Sequence, residues 1–207
     1  MTKAEVVEDG PNPFNNHLEL VTDPVFLIGN GKSRSTFDLE RLRGVGTIMG
    51  CNALHRDFFP DILVAIDSKM LNELKNVKPK LPPEMLIVNP KGRGIQIPGS
   101  IAYKTGRFNT SGCFAIRLIG QVMQPTKCYM LGMDGYPGNV YDGTTNYAVH
   151  TLKNFKGVHN FYLEALKVSK QTMFINVNDV DGWPPEAENT GRYKCISYDE
   201  FEKTVMV

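Results

Sequence analysis

The residues able to do chemistry gather at four places, each just past a short apolar run. Gly29-Asn30-Gly31-Lys32-Ser33 follows "PVFLIG", Cys51-Asn52 closes "GTIMGCN", Asp67-Ser68 follows "DILVAI", and Asp134-Gly135-Tyr136 follows "KCYMLGM". The glycines of the first cluster let the backbone approach a ligand closely, and amides exposed ahead of a helix suit an anionic phosphate. Taken alone, Gly-Asn-Gly-Lys-Ser is a weak signature: it has neither the G-x-x-x-x-G-K-[ST] spacing of a P-loop nor the full G-x-G-x-x-G of a dinucleotide site. Asn30 and Asn52 also suit plain turns, because Asn tolerates left-handed backbone and bonds its own main chain.

These clusters need elements to hold them. Pro24 to Gly29, Gly46 to Asn52, Asp61 to Asp67, Met85 to Pro90, Lys127 to Asp134 and Thr172 to Asn178 are short and rich in aliphatic residues, the pattern of buried parallel strands. Between them "FDLERLRG", "SKMLNELKN", "SGCFAIRLIGQVMQ" and "VHNFYLEALKVSKQ" repeat their apolar residues at three and four positions, as amphipathic helices do. The alternation predicts a single three-layer α/β domain over residues 1–207 with a Rossmann-like, mainly parallel sheet, residues 1–22 being a flexible or surface segment. Pro90 to Asn109 and Gly135 to Gly157 are predicted long loops, and the tail is expected to cross the surface and end in a short helix from Ser197. Ligands of open α/β sheets bind outside the carboxyl ends of the strands, where all four clusters fall.

With 207 residues, 42% hydrophobic and 22% charged, the chain is long enough to bury a full core. A formal net charge of +1 supplies no field for non-specific nucleic-acid binding. Cys51, Cys113, Cys128 and Cys195 are scattered without a C-x-x-C pair or a histidine at ligand spacing, so neither disulfides nor a structural zinc is expected. The opening "TKAEVVEDGPNPFNN" lacks the apolar stretch of a signal peptide and no segment reaches the ~18 apolar residues of a membrane span, which predicts a cytoplasmic protein without a membrane partner.

Read in order, "GNGKS", "GCN", "NTSGCFAIRL", "YMLGMDGY", a Tyr-rich loop and a His before "FYLEALK" resemble the bacterial sialyltransferases and their wider family of sialyltransferase-like glycosyltransferases. That family carries G-N-G-P-S after the first strand, R-C-N after the second, T-S-G opening a helix, S-G-I-D-F-Y after a later strand and a His ahead of the last core helix. The resemblance spans Pro24 to Lys170 and rests on motif order. It implies a glycosyltransferase-A-like variant of the fold and a nucleotide held by Gly29, Asn30, Gly31, Ser33 and Asn52, with Thr110, Ser111 and Gly112 beside it and Asp134 in the I-D position. It also implies that Tyr136 and a second tyrosine, Tyr141 or Tyr147, neutralise the leaving phosphate, and that His159, with His150 as rival, is the general base. Each residue has an ordinary alternative: Thr110 and Ser111 are good helix caps, Tyr136 can pack its ring, His159 can sit idle at a helix start, and Asp134 can orient its loop.

The implied reaction is direct, inverting transfer of a sugar from a nucleotide-sugar, a CMP-sugar being favoured, to an acceptor hydroxyl, with no metal or other cofactor. Lys32 stands where the family has Pro, adding a cation beside the phosphate. The sequence lacks the family's C-terminal membrane-associating segment, which implies an acceptor other than a membrane glycolipid. Compact relatives of this type resemble bacteriophage-encoded proteins, which admits a modified base in nucleic acid as acceptor. Two rival classes are a magnesium-dependent pterin-type pyrophosphokinase using Asp67, Asp134 or Asp179-Val180-Asp181, and a non-catalytic nucleotide-binding protein.

Overall fold

The computed structural model describes residues 21–92, 95, 97–148 and 156–205. Eight strands form one sheet: β1 (Val25–Ile28), β2 (Thr47–Cys51), β3 (Ile62–Val64), β4 (Leu86–Pro90), β5 (Ile101–Tyr103), β6 (Lys127–Leu131), β7 (Met173–Val177) and β8 (Tyr193–Ile196). The order is β5-β4-β3-β2-β1-β6-β7-β8, and every neighbouring pair is parallel. The six predicted strands are all present within their expected segments.

Strands buried on both faces explain the unbroken apolar runs. In β1, Val25 and Leu27 point to one core and Phe26 and Ile28 to the other. The first core is covered by α2 (Ser111–Leu118) and α3 (Lys156–Lys167), through Phe114, Leu118, Ala165 and Leu166. The second is covered by α1 (Ser68–Val77) and α4 (Tyr198–Val205), through Met70, Leu71, Leu74 and Phe201. Helices on both faces of one parallel sheet make the three-layer, Rossmann-like α/β architecture expected from the alternation.

Three segments differ from the sequence reading. "FDLERLRG" is not an α-helix; 3₁₀ turns at Lys32–Thr36 and Leu39–Leu42 flank the extended residue Phe37. Asp38 interrupts any continuous helix by accepting a hydrogen bond from the Glu40 amide at 3.0 Å, while Leu39 and Leu42 bury just as well at the three-residue repeat of a 3₁₀ turn. The loop from Pro90 contains β5, and the tail contains β8, so each edge of the sheet is a strand the apolar runs did not announce. The expected C-terminal helix is present as α4. Residues 1–20, most of the predicted N-terminal segment, and His150 lie outside the described residues.

The chain builds β1 through β5 outward on one side and then returns to set β6 on the other flank of β1. That reversal makes a topological switch point between β1 and β6, where loops leaving adjacent strands diverge and leave a crevice. No helix among the described residues is long and apolar enough to cross a membrane.

Candidate functional site

The crevice begins with two glycine loops closed against each other. The Gly29 amide donates to the Leu131 carbonyl and the Gly31 amide to the Gly132 carbonyl, both at 2.8 Å. A Cβ on Gly29 would lie 2.3 Å from the Gly132 carbonyl oxygen, and one on Gly31 would lie 2.4 Å from Asp134 Cγ, so close approach requires glycine at both positions. Asp134 accepts from Ser33 Oγ at 2.5 Å and from the Ser33 amide at 3.2 Å. Burial pushes its carboxyl pKa up, against the opposing effect of these bonds. Asp134 and Ser33 therefore lock the β1 loop to the β6 loop, the orienting role open to Asp134 from sequence.

Past these loops lies a cavity of about 270 Å³. Of the residues singled out from sequence, Gly29, Asn30, Gly31, Asn52, Thr110, Ser111, Gly112, Asp134, Tyr136 and Tyr147 line it. Asn30 Nδ2 donates to the Tyr147 hydroxyl at 3.2 Å, and Asn52 Nδ2 to Asp67 at 3.4 Å. The amide oxygens of both asparagines are buried with no hydrogen-bond partner. Buried acceptors without partners are costly, and both belong to residues that line the cavity. Asn52 adopts left-handed backbone at φ 50°, which turns the chain directly from β2 into the Asn52–Arg56 turn.

The N-terminus of α2 forms another wall. Thr110 caps it by accepting from the Cys113 amide at 3.1 Å, and the first-turn amides of Ser111 and Gly112, which a helix leaves without internal partners, belong to residues lining the cavity. A helix start of this kind favours negative charge. Gly112 is held close: a Cβ there would lie 2.5 Å from Met133 Cε. Cys51 also lines the cavity, but burial pushes its thiol up to about 12, so it stays a neutral thiol.

The two candidate tyrosines of the 135–157 loop separate. Tyr147 reaches the cavity, and burial, reinforced by the Asp67 charge, pushes its hydroxyl up to about 12. Tyr141 turns the other way: its hydroxyl donates to Asp57 and accepts from Arg34 Nη2 at 3.0 Å. Buried Arg34 also donates through Nε to the Gly29 carbonyl at 2.8 Å, so Tyr141 anchors the loop to the back of the glycine turn. The Tyr136 hydroxyl accepts from Asn178 at 3.4 Å, and Tyr136 lines the cavity from the β6 side.

His159, on the first turns of α3, sits behind the rim: Nε2 is 2.7 Å from the Gly135 carbonyl. A carbonyl only accepts, so Nε2 donates in this bond. The Lys32 stem passes 3.4 Å from the Cβ position of Gly138 at the rim, on the side of the glycine loop. Asp67, Asn109, Asn139 and Tyr162 also line the cavity. From sequence, Asp67 stands out as one of the strand-end clusters and as a possible metal ligand, and the other three are missed. Asn109 adjoins the Thr-Ser-Gly motif, which is a usable signal; Tyr162, whose helical position reads as core, has none.

The carboxylates of Asp179-Val180-Asp181 serve the tail. Asp181 accepts from the Tyr193 hydroxyl at 2.7 Å and the Trp183 amide at 3.0 Å, and Asp179 from the Tyr198 amide at 3.1 Å. Among the described residues no group of three His, Cys, Asp or Glu side chains stands close enough together to hold a metal ion. Compared with models of known protein families, with curated proteins and with solved structures, the chain gives no match.

Proposed function

We propose that the protein is a glycosyltransferase that takes a sugar from a nucleotide-sugar, with a CMP-sugar the favoured donor, and passes it to an acceptor hydroxyl by direct inverting displacement. The observation that carries this reading is that Asn30, Asn52 and the first turn of α2 line one cavity. The asparagines match the hydrogen-bond donors of a nucleoside, and the helix amides match its phosphate. In the reaction the acceptor oxygen attacks the anomeric carbon and the bond from that carbon to the phosphate oxygen breaks. The acceptor proton passes to His159, and the departing phosphate takes the electron pair, met by the Tyr136 and Tyr147 hydroxyls and the amides near Ser111.

A ligand that binds the native state alone raises its stability, by about 2.7 kcal/mol at a hundredfold excess over Kd. A thermal-shift screen of CMP, UDP, GDP and ATP should show stabilisation by CMP, and Asn30→Ala or Asn52→Ala should remove most of it while remaining folded. Failure of every nucleotide to stabilise the protein, or unchanged binding in both variants, places the site elsewhere.

Sugar transfer from the CMP donor is also expected to survive excess EDTA. A monophosphate leaving group needs less charge compensation than a diphosphate, and hydroxyls, helix amides and Lys32 are at hand for it. Loss of turnover on chelation, restored by magnesium or manganese, would instead promote Asp67 and Asp134 to metal ligands and favour the pyrophosphokinase reading.

A further inference from the structure

Glu73 on α1 is not one of the residues lining the cavity, yet both the Asn52 side and the Tyr147 side of the cavity lead to it. Its Oε1 accepts from Arg56 Nε at 2.7 Å, and its Oε2 from Arg56 Nη2 and Asn146 Nδ2, each at 2.6 Å. On the other side His55 Nε2 stands 3.4 Å from Oε1. The Glu73 side chain is 17% exposed and that of His55 4%, so water competes little for this carboxylate. Burial opposes its charge, but the bonds from Arg56 and Asn146 prevail and hold its carboxyl below the usual carboxylate range.

The partners of Glu73 lead to residues of the cavity wall. His55 Nδ1 lies 3.2 Å from the Asn52 carbonyl. Arg56 reaches into the other wall, donating to Thr144 Oγ1 and to the Thr145 carbonyl at 2.8 Å each, and Asn146 immediately precedes Tyr147. The Tyr147 amide donates to the Thr144 carbonyl at 2.9 Å, so the groups that hold Thr144 and Asn146 also set where Tyr147 stands. The Arg56 guanidinium carbon lies 5.6 Å from the centroid of the Tyr147 ring. Asn52 and Asn146 share a backbone feature: at φ 50° and 67° they are, with Gln124, the non-glycine residues in left-handed conformation among the described residues. Such backbone persists where its surroundings over-determine it, and here those surroundings include Glu73.

We infer that Glu73 is a positioning residue that ties Asn52, through His55, and Tyr147, through Asn146 and Arg56, into one arrangement. The worth of that arrangement rests on the donor reading above, in which Asn52 holds the nucleotide and Tyr147 meets the departing phosphate. An exposed ion pair contributes little to stability, whereas a misplacement of about 1 Å in groups that act on a reacting bond costs ~10²-fold in rate.

Hydrogen exchange on the full chain reads the tie directly. Glu73→Ala should speed exchange by about tenfold or more in both segments together, with β1 and β6 unchanged. The reporting amides are those of Asp57 and Phe58, which bond the Leu54 carbonyl, and those of Thr144 and Tyr147. Glu202→Ala removes the carboxylate of the Arg41–Glu202 pair, 2.7 Å long and borne by α4, and as the control for loss of an ion pair should move neither segment. Glu73→Gln guards against an alanine variant that does not fold. It keeps the shape and one oxygen, which can serve the His55 side or the Asn146 side but not both, so at least one segment should loosen. In sugar transfer Glu73→Ala should lower kcat ~10²-fold, its action through Asn52 appearing separately in the donor KM. Added to Tyr147→Phe it should lower kcat no further, because it acts on kcat through that hydroxyl; a merely structural loss would multiply. Loosening of one segment alone in the alanine variant, unchanged exchange in the glutamine variant, or losses of kcat that multiply overturns the inference. If the parent transfers no sugar, the donor reading falls, and exchange alone decides whether Glu73 ties the two segments together.

Discussion

Replacing His159 with alanine is expected to lower the rate of sugar transfer by ~10²–10⁴-fold, the usual worth of a positioned base, while CMP still stabilises the variant almost as it does the parent. The His159 ring lies beside the cavity and not in its wall, with Nε2 tied at 2.7 Å to the carbonyl of Gly135, a lining residue. That bond places a hydrogen on Nε2. It also creates a structural competitor for the interpretation, since removing the ring frees the Gly135 carbonyl and can disturb the loop that carries Tyr136. His159→Gln separates the two. A glutamine amide can donate to the same carbonyl but cannot take a proton, so it should restore thermal stability and leave transfer as slow as alanine does. Recovery of rate in the glutamine variant would make His159 a loop support, and full activity in both variants with loss in His150→Ala would move the role to His150.

The parts of this molecule visible in its sequence are those governed by local pattern. Six strands announce themselves as mainly aliphatic runs because both faces of the sheet are covered, although Thr47, Asn89 and Asn176 are buried within them. Edge strands are freer: β5, Ile101–Tyr103, is exposed at Ala102 and only half-buried at either side of it, set among glycines and prolines, and β8 has Lys194 exposed beside buried Tyr193. Neither carries a pattern distinct from a loop. The misread helix at "FDLERLRG" has a similar cause, since Leu39 and Leu42 are three apart and both helix types bury such a pair. The switch point is less legible still. That β6 returns to lie beside β1 is a fact of topology, yet it is what brings Asp134 onto Ser33 and Tyr136 across from Asn30. Motif order marks the loops and their chemistry. It cannot choose between two tyrosines six residues apart, because that choice depends on which side of the loop meets Arg34.

The structure sets Tyr147 in the cavity wall and Tyr141 against Arg34, a difference that kinetics and calorimetry can read independently. Tyr147→Phe is expected to lower kcat by ~10²–10³-fold, the cost of removing one preorganised donor from a developing anion, with the donor KM little changed because the hydroxyl acts on charge that appears only as the phosphate departs. Burial pushes that hydroxyl up to about 12, so it keeps its hydrogen throughout the neutral range, and Asn30 Nδ2 fixes it from behind at 3.2 Å. Tyr141→Phe should do the reverse. Its hydroxyl is buried between Arg34 and Asp57, and taking it away leaves a buried guanidinium nitrogen short of an acceptor, at a cost of about 1–3 kcal/mol in stability. Asp57 is 51% exposed, and its own contact with Arg34 at 3.6 Å is long, so the cost belongs at the lower part of that range. Turnover by Tyr141→Phe, measured well below its lowered Tm, should stay near the parent's. If the slow enzyme is Tyr141→Phe, the loop must rearrange to bring that residue to the phosphate when donor binds. If neither substitution slows transfer, the leaving group is neutralised by the α2 amides, Tyr136 and Lys32 alone.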